Sequence, residues 1–359
     1  MISRLDQYRL LGHSGLRVSP LCLGTMTFGT EWGWGADKDV CRKMFDRYAE
    51  AGGNFIDTAN VYTNGTSEQF VGEFVKGQRE KYVIATKYTS CMNPGDPNAG
   101  GNHRKNLVQA VEASLKRLQT DYIDLYWVHA WDNLTPVEEV MRGLDDLVRQ
   151  GKILYVGVSD TPAWVIAQAN TLARFRGWTP FTVMQVHYNL VERTVERELV
   201  PMGEALGVAV QPWSPLAGGV LAGKYDKSDL TSNESAEQKS GRAAMNKQFG
   251  MLTERALEIV EVVKQVAEEL GRTPSQVSLR WLLQKPGVVS PIIGARTMAH
   301  FEDNLGCLEF ELSPEQMARL DEAGAIEPGF PHDFLGSDQI RQVVFGGATI
   351  VGSHATLRG

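Results

Sequence analysis

The chain has 359 residues, 43% of them hydrophobic and 22% charged, with 36 Lys and Arg against 43 Asp and Glu for a formal net charge of −7. This is an ordinary globular composition, and an acidic chain whose cations are scattered lacks the positive field a phosphate backbone demands, which excludes nucleic acid as a partner. No stretch reaches the roughly 20 apolar residues of a membrane span and the start carries no signal-peptide pattern, while four cysteines (Cys22, Cys41, Cys91, Cys307) without a C-x-x-C pair give no metal site and no disulfide framework, so a cytoplasmic protein with reduced thiols and no membrane partner is expected.

A short hairpin is expected around residues 8–18, turned at His13-Ser14-Gly15. Short β-rich runs then alternate with longer segments of helical period. The strand-like runs are 21–23, 54–57, 82–86, 122–128, 153–158, 182–186, 208–212 and 288–293. The amphipathic stretches are 37–51, 67–76, 105–118, 135–150, 162–176, 195–206 and 252–270, most of them closed by a glycine such as Gly52, Gly77, Gly151 or Gly271. In the last, Ala256, Ile259, Val263 and Val266 form a packing stripe. Runs apolar on both faces, such as Tyr122-Ile123-Asp124-Leu125-Tyr126-Trp127-Val128, suit a parallel sheet covered by helices. Eight strands, each followed by a helix, predict an α/β fold of (β/α)₈ TIM-barrel type with an N-terminal hairpin. The rival, a doubly wound sheet with a dinucleotide site, would need G-x-G-x-x-G after the first strand, and Gly24-Thr25-Met26-Thr27-Phe28-Gly29 has the wrong spacing.

Segments 88–104 and 225–250 interrupt the alternation as long loops, which a barrel would put at its C-terminal face. One barrel domain over 1–359 is expected, with a C-terminal tail from about 325 to 359 near the barrel mouth. Gly218-Gly219-Val220-Leu221-Ala222-Gly223-Lys224 mimics a phosphate-binding P-loop, but Tyr225 stands where a Ser or Thr must bind Mg²⁺.

Residues just beyond the strand ends converge in a barrel, and four polar groups stand there: Asp57, Tyr62 five residues on, Lys87 and His129. Singly, each has a plain alternative: a turn carboxylate, a snorkelling ammonium, a hydrogen-bonded core imidazole. Together they make an acid-catalysis device. A phenol donates a proton poorly near neutral pH unless a neighbouring cation stabilises its phenolate, which Lys87 can do. Asp57 keeps that ammonium charged, and His129 can orient a substrate oxygen.

Phe55-Ile56-Asp57-Thr58-Ala59-Asn60-Val61-Tyr62, Ala85-Thr86-Lys87, Asp124 to His129, Gly157-Val158-Ser159, Met184 to Asn189 and Ile292-Ile293-Gly294-Ala295-Arg296 follow one another in order. In these motifs the chain resembles the aldo-keto reductase family, as a bacterial-type member, over about residues 8 to 325. The resemblance implies NADPH-dependent, reversible reduction of an aldehyde or ketone by hydride transfer, with Tyr62 as general acid. It implies a barrel that holds an extended nicotinamide dinucleotide without a Rossmann domain. Ser159, Asp160 and Gln185 would hold the carboxamide, Trp213 would stack on the nicotinamide, and Gly24, Thr25, Met26 and Asp57 would adjoin it. Ser214, Pro215, Leu216, Gly218 and Lys224 would meet the pyrophosphate, and Gly294, Arg296, His300, Asp303 and Asn304 the adenosine end. Arg296 suits a 2′-phosphate, so NADP(H) is preferred with NAD(H) possible. The chain departs from the family where Asp160 replaces the usual Asn, His300 a commoner Gln or Arg, and Trp213 a Tyr or Phe; Ala295 offers a phosphate no donor.

The partner is a small carbonyl or alcohol, and the sequence does not give the oligomeric state. Trp32, Trp34, Trp131 and Phe330, with Tyr62 and His129, suggest an aromatic substrate pocket. The alternative function is a cofactor-sensing regulatory subunit resembling channel β subunits.

Overall fold

The computed structural model describes residues 2–231 and 246–348. Eight parallel strands run β1 (Cys22–Gly24), β2 (Phe55–Asp57), β3 (Val83–Tyr88), β4 (Ile123–Val128), β5 (Ile153–Ser159), β6 (Phe181–His187), β7 (Ala209–Trp213) and β8 (Ile292–Ile293). Each pairs with the next from β1 to β7, and β8 returns to β1 through Ile292 opposite Cys22. The last gap is bridged by Val210, whose N–H donates to Gly287 O at 2.9 Å and whose carbonyl accepts from Val289 N at 2.9 Å. The barrel is nearly closed, as the strand pattern predicts.

The interior is filled by inward side chains such as Cys22, Phe55, Ala85, Leu125, Trp127 and Val183, all essentially inaccessible. Trp127 sets one sequence requirement: a Cβ at Gly157, opposite it in register, would lie 2.5 Å from its ring. The expected hairpin pairs Arg9–Leu10 with Arg17–Val18 and seals the N-terminal end of the barrel. Leu11 and Val18 join the interior, and Arg9 donates to Val288 O at 2.6 Å and Leu283 O at 3.0 Å.

Around the barrel lie α1 (Lys38–Glu50), α2 (Thr66–Phe74), α3 (Arg104–Leu118), α4 (Val137–Arg149), α5 (Ala163–Arg176), α6 (Leu199–Leu206) and α7 (Glu254–Leu270). The stripe of α7 is buried as expected. Two differences trace to proline. The predicted helix over 195–206 splits into a 3-10 turn, Thr194–Glu196, and α6, because Pro201 fits only a first helical turn. The predicted strand 288–293 shortens to β8, since Pro291 has no N–H to give a ladder. Further helices, α8 (Pro274–Leu283), α9 (Met298–Leu305), α10 (Pro314–Ala323), α11 (His332–Gly336) and α12 (Asp338–Phe345), cover segments assigned no element from sequence.

Both long loops leave the C-terminal ends of strands. The first is pinned to the loop after β4, with Asn102 N donating to Asp132 Oδ2 at 2.7 Å and Asp132 N returning to Asn102 Oδ1 at 2.8 Å. Of the second, 232–245 lie outside the described residues, as do 349–359 of the tail. The described tail is tied to the entry of α6, where Arg197 donates to Glu327 O at 2.7 Å and His332 pairs with Glu198 at 2.9 Å.

Candidate active site

Asp57 ends β2 opposite Ala85, and Lys87, two residues on from Ala85 on the same face of β3, lies just above it, so both side chains point to one site over the packed interior. Lys87 is completely buried. Its Nζ donates to Asp57 Oδ1 in a short contact, to Thr58 O at 2.8 Å and to the Tyr62 hydroxyl at 3.1 Å. Three acceptors use all three ammonium protons. Burial alone would lower the Lys87 pKa, but Asp57 and then Tyr62 outweigh it and hold the ammonium charged above its ordinary value. For Tyr62, burial raises the phenol above 10 and outweighs the pull of Lys87. The phenol therefore keeps its proton near neutrality, with a cation placed to receive the charge its loss would create.

Tyr62 is aimed by an unusual turn. Thr63, Asn64 and Gly65 all have positive φ (46°, 56° and 96°), and for β-branched Thr63 this is a strained conformation. It is over-determined: Thr63 Oγ1 donates to Phe28 O at 2.7 Å and accepts from Ser67 N at 3.2 Å. Ser67 in turn donates to Thr25 O at 2.8 Å, and Thr25 N donates to Asp57 O at 3.0 Å, so β1, the turn and α2 are locked together.

His129 follows β4 and meets the Tyr62 ring edge-on at 6.0 Å between centroids. Burial, with Lys87 nearby, pushes its pKa down to about 3, so the imidazole is neutral across the physiological range. Its Nδ1 is buried without a partner among the described residues. Trp32 sits edge-on to Tyr62 at 6.3 Å and 5.5 Å from Trp34, so four of the expected pocket residues share one aromatic wall. Trp131 packs partly buried against the core, its backbone N–H donating to the backbone carbonyl of Asp160 at 3.5 Å. Phe330 is set apart: it is 84% exposed on the tail, with its ring against Phe334.

Ser159 and Gln185, both expected at the carboxamide, lie opposite each other on β5 and β6, and Gln185 lies opposite Gln211 on β7. Gln185 Nε2 donates to Asp57 Oδ2 at 3.0 Å and to Gln211 Oε1 at 3.0 Å, coupling this corner to the ion pair. The buried Ser159 hydroxyl has no partner among the described residues. The Trp213 indole is stacked on His187, 4.2 Å away and 10° from parallel, while its Nε1 donates to Asp160 Oδ1 at 3.0 Å. Beyond it the chain turns sharply through Ser214, Pro215 and Leu216, with left-handed Ser214, Ala217, Gly218 and Gly219; Ser214 Oγ accepts from Gly218 N at 3.0 Å. The turn closes on itself, with Ala217 N donating to Ser214 O at 2.9 Å and Gly219 N to Leu216 O at 2.8 Å. A Cβ on Gly219 would stand 3.4 Å from Lys224 Nζ, so the glycine keeps clear the space beside that cation. An unpartnered serine hydroxyl, a ring backed on one face and a cation beside a glycine cradle fit a nicotinamide dinucleotide.

Of the remaining expected contacts, Gly24 pairs with Asp57 and admits no side chain, since a Cβ would lie 2.5 Å from Ile292 Cγ2; Met26 stands partly exposed next to it. Gly294 and Arg296 follow β8, with Arg296 half-buried and His300 exposed on α9. Asp303 is engaged elsewhere: it accepts from Thr273 Oγ1 at 3.0 Å and Gln276 Nε2 at 3.1 Å, bracing α8. Asn304 is buried in the same helix. Sequence reasoning missed His187, Gln211 and Asn246. His187 lay in a quoted motif, two residues beyond Gln185 on the same strand face. Asn246, which donates to Gly218 O at 3.3 Å, carried no signal within its polar loop.

Known proteins share this arrangement of sequence. The profile of the Aldo/keto reductase family matches residues 20–325. An aryl-alcohol dehydrogenase [NADP(+)] of Phanerodontia chrysosporium is 39% identical over 358 residues, 95% of this chain and 92% of that protein. A norsolorinic acid reductase of Aspergillus flavus is 40% identical over 342 residues, 92% and 84% of the two chains. An aryl-alcohol dehydrogenase of Pestalotiopsis microspora is 39% identical over 344 residues, 93% and 86%. Among the described residues no helix is long and apolar enough to cross a membrane, and no group of three or more His, Cys, Asp or Glu could hold a metal ion.

Proposed function

The chain belongs to the aldo/keto reductase family, and from that premise we propose that it is an NADP(H)-dependent oxidoreductase that reduces an aromatic aldehyde or ketone to its alcohol, and the reverse, with Tyr62 as the general acid. The observation that carries this reading is Lys87 Nζ, which bridges Asp57 and the Tyr62 hydroxyl at the bottom of an aromatic pocket.

A bound dihydronicotinamide supplies the hydride. The protein supplies the proton and the field. A carbonyl oxygen that gathers negative charge receives the proton of the Tyr62 hydroxyl, and the phenolate left behind is stabilised by Lys87 at 3.1 Å. Neutral His129, beside the phenol, can donate a hydrogen bond to the same oxygen without adding a proton that would compete. Asp57 keeps Lys87 cationic throughout, so the charge that forms during reaction meets a preset opposite charge in a site shielded from water.

Ser159, Asp160 and Gln185 would hold the carboxamide, Trp213 one face of the ring, the 214–219 turn and Lys224 the pyrophosphate, and Arg296 the 2′-phosphate that distinguishes NADP(H) from NAD(H). Two observations support an aromatic substrate: the Trp32, Trp34, Tyr62 and His129 wall, and relatives named for aryl alcohols. The test is oxidation of NADPH and NADH with a panel of aromatic aldehydes, quinones and bulky ketones, native protein against Tyr62→Phe. Turnover that falls by about 100-fold or more in the variant is expected from lost general acid catalysis; turnover indifferent to Tyr62 would remove the phenol from the mechanism.

A further inference from the structure

The Asp160–Trp213 contact does more than fix a ring. Asp160 opens the short connection between β5 and α5, with its own φ at +43°, a left-handed value for a residue other than glycine. Its Oδ1 takes the indole proton of Trp213 at 3.0 Å while His187 covers one indole face at 4.2 Å. The indole is therefore held at its edge by a carboxylate and at its back by an imidazole, leaving the other face for a ligand. Phe at position 213 has no donor for this edge contact and Tyr carries its O–H at the ring tip instead, so two of the positions at which this chain departs from the commoner pattern form one unit.

The charges at this corner do not cancel. Lys87 and Asp57 neutralise each other in a buried ion pair. Burial depresses the His187 pKa below its ordinary value, which keeps that ring uncharged near neutrality. Asp160, by contrast, takes part in no ion pair among the described residues; its acceptor bond is to a neutral N–H. Its carboxylate is thus a negative charge without a direct ion-pair partner at the edge of the stacking platform, with Lys87 acting on it only from a distance.

Resting on the reading of Trp213 as the nicotinamide platform, we propose that Asp160 sets the redox preference of cofactor binding: its charge favours the pyridinium of NADP⁺ over the neutral dihydropyridine of NADPH. The two cofactor forms differ by one positive charge on the ring that lies against Trp213, so a carboxylate beside that ring stabilises one form and is indifferent to the other. Steric and hydrogen-bonding contributions of Asp160 act on both forms alike. The consequence is an enzyme that holds oxidised cofactor more tightly, which shifts hydride transfer between the bound species toward NADP⁺ and alcohol, through a residue outside the Asp57, Tyr62, Lys87 and His129 group.

The experiment compares dissociation constants of NADP⁺ and NADPH, each measured without substrate by tryptophan quenching and by calorimetry. It is run at pH 8, well above the ordinary carboxylate range, because burial raises the Asp160 carboxyl from its usual value. Asp160→Asn keeps the size and the acceptor for Trp213 but removes the charge. It is expected to weaken NADP⁺ relative to NADPH by about tenfold, with a shift that shrinks as salt is raised. Asp160→Ala, which also releases the indole, should weaken both forms and change their ratio by the same factor. Trp213→Phe should weaken both with the ratio kept. A ratio unchanged in Asp160→Asn, with both cofactors binding the native protein, overturns the proposal. Native protein that binds neither cofactor overturns the reading beneath it instead.

Discussion

The side-chain amide of Gln185 donates to Asp57 Oδ2 at 3.0 Å, on the oxygen that Lys87 does not use. One carboxylate is thereby shared between the acid-catalysis group and the platform proposed for the nicotinamide, four strands away along the barrel wall. Replacing Gln185 by Leu leaves Asp57 Oδ2 and Gln211 Oε1 buried without this donor. A loss of about 1–3 kcal/mol in urea unfolding is expected, with weaker cofactor binding. An unchanged midpoint and slope would mean that the contact contributes nothing.

Lys87 has a structural and a chemical role that a pair of variants separates. Lys87→Met strands the Asp57 carboxylate in a dry site, and breaking a buried pair this way costs about 3–5 kcal/mol. Adding Asp57→Asn removes the stranded charge, so the double variant should regain most of that stability. Turnover should not return, because the cation that receives the phenolate charge is still missing. A double variant as active as native protein would deny Lys87 any part in proton transfer.

Much of this was legible from the chain because barrel chemistry is written at strand ends: Asp57, Lys87, His129 and Ser159 each stand at or next to the last residue of a doubly apolar run. What escaped has physical reasons. Helices α8 and α10 carry capping boxes, Thr273 with Gln276 and Ser313 with Gln316, each with proline at the first helical position. Those signals were present but fell outside a reading keyed to strand–helix alternation. The direction of the Tyr62 shift was not legible at all, since burial competes with Lys87 and only the fold decides the balance. Nor could sequence distance show that Asp160 and Trp213 share a hydrogen bond across 53 positions, or that Asp303 serves a helix cap.

His129 makes acid stability a readout of the site. Folded, its pKa is about 3 against an ordinary 6.5, so between these values the unfolded chain binds a proton that the folded chain refuses. The contribution to stability is complete above pH 6.5 and is lost as pH falls toward 3. His129→Gln should flatten that limb of a pH–stability curve measured by urea unfolding, leaving the region above pH 7 nearly parallel to native protein. A native curve with no greater acid slope than the variant would show that the imidazole is not held neutral.

Thr63 offers the sharpest contrast between strain and hydrogen bonding. Its left-handed backbone favours glycine, while its hydroxyl ties Phe28 O to Ser67 N beside Tyr62. Thr63→Val keeps the strain and discards both bonds, leaving two buried backbone groups short of a partner, at a cost of about 1–3 kcal/mol for each group left unpaired. Thr63→Gly loses the same bonds but relieves the backbone, so it should be less destabilised than the valine variant by thermal unfolding. Both should lower kcat more than they raise KM, since the turn aims the phenol and does not line the pocket. Equal stability of the two variants would mean that the positive φ of Thr63 stores no strain, and a KM effect without a kcat effect would mean that the turn shapes substrate binding rather than proton transfer.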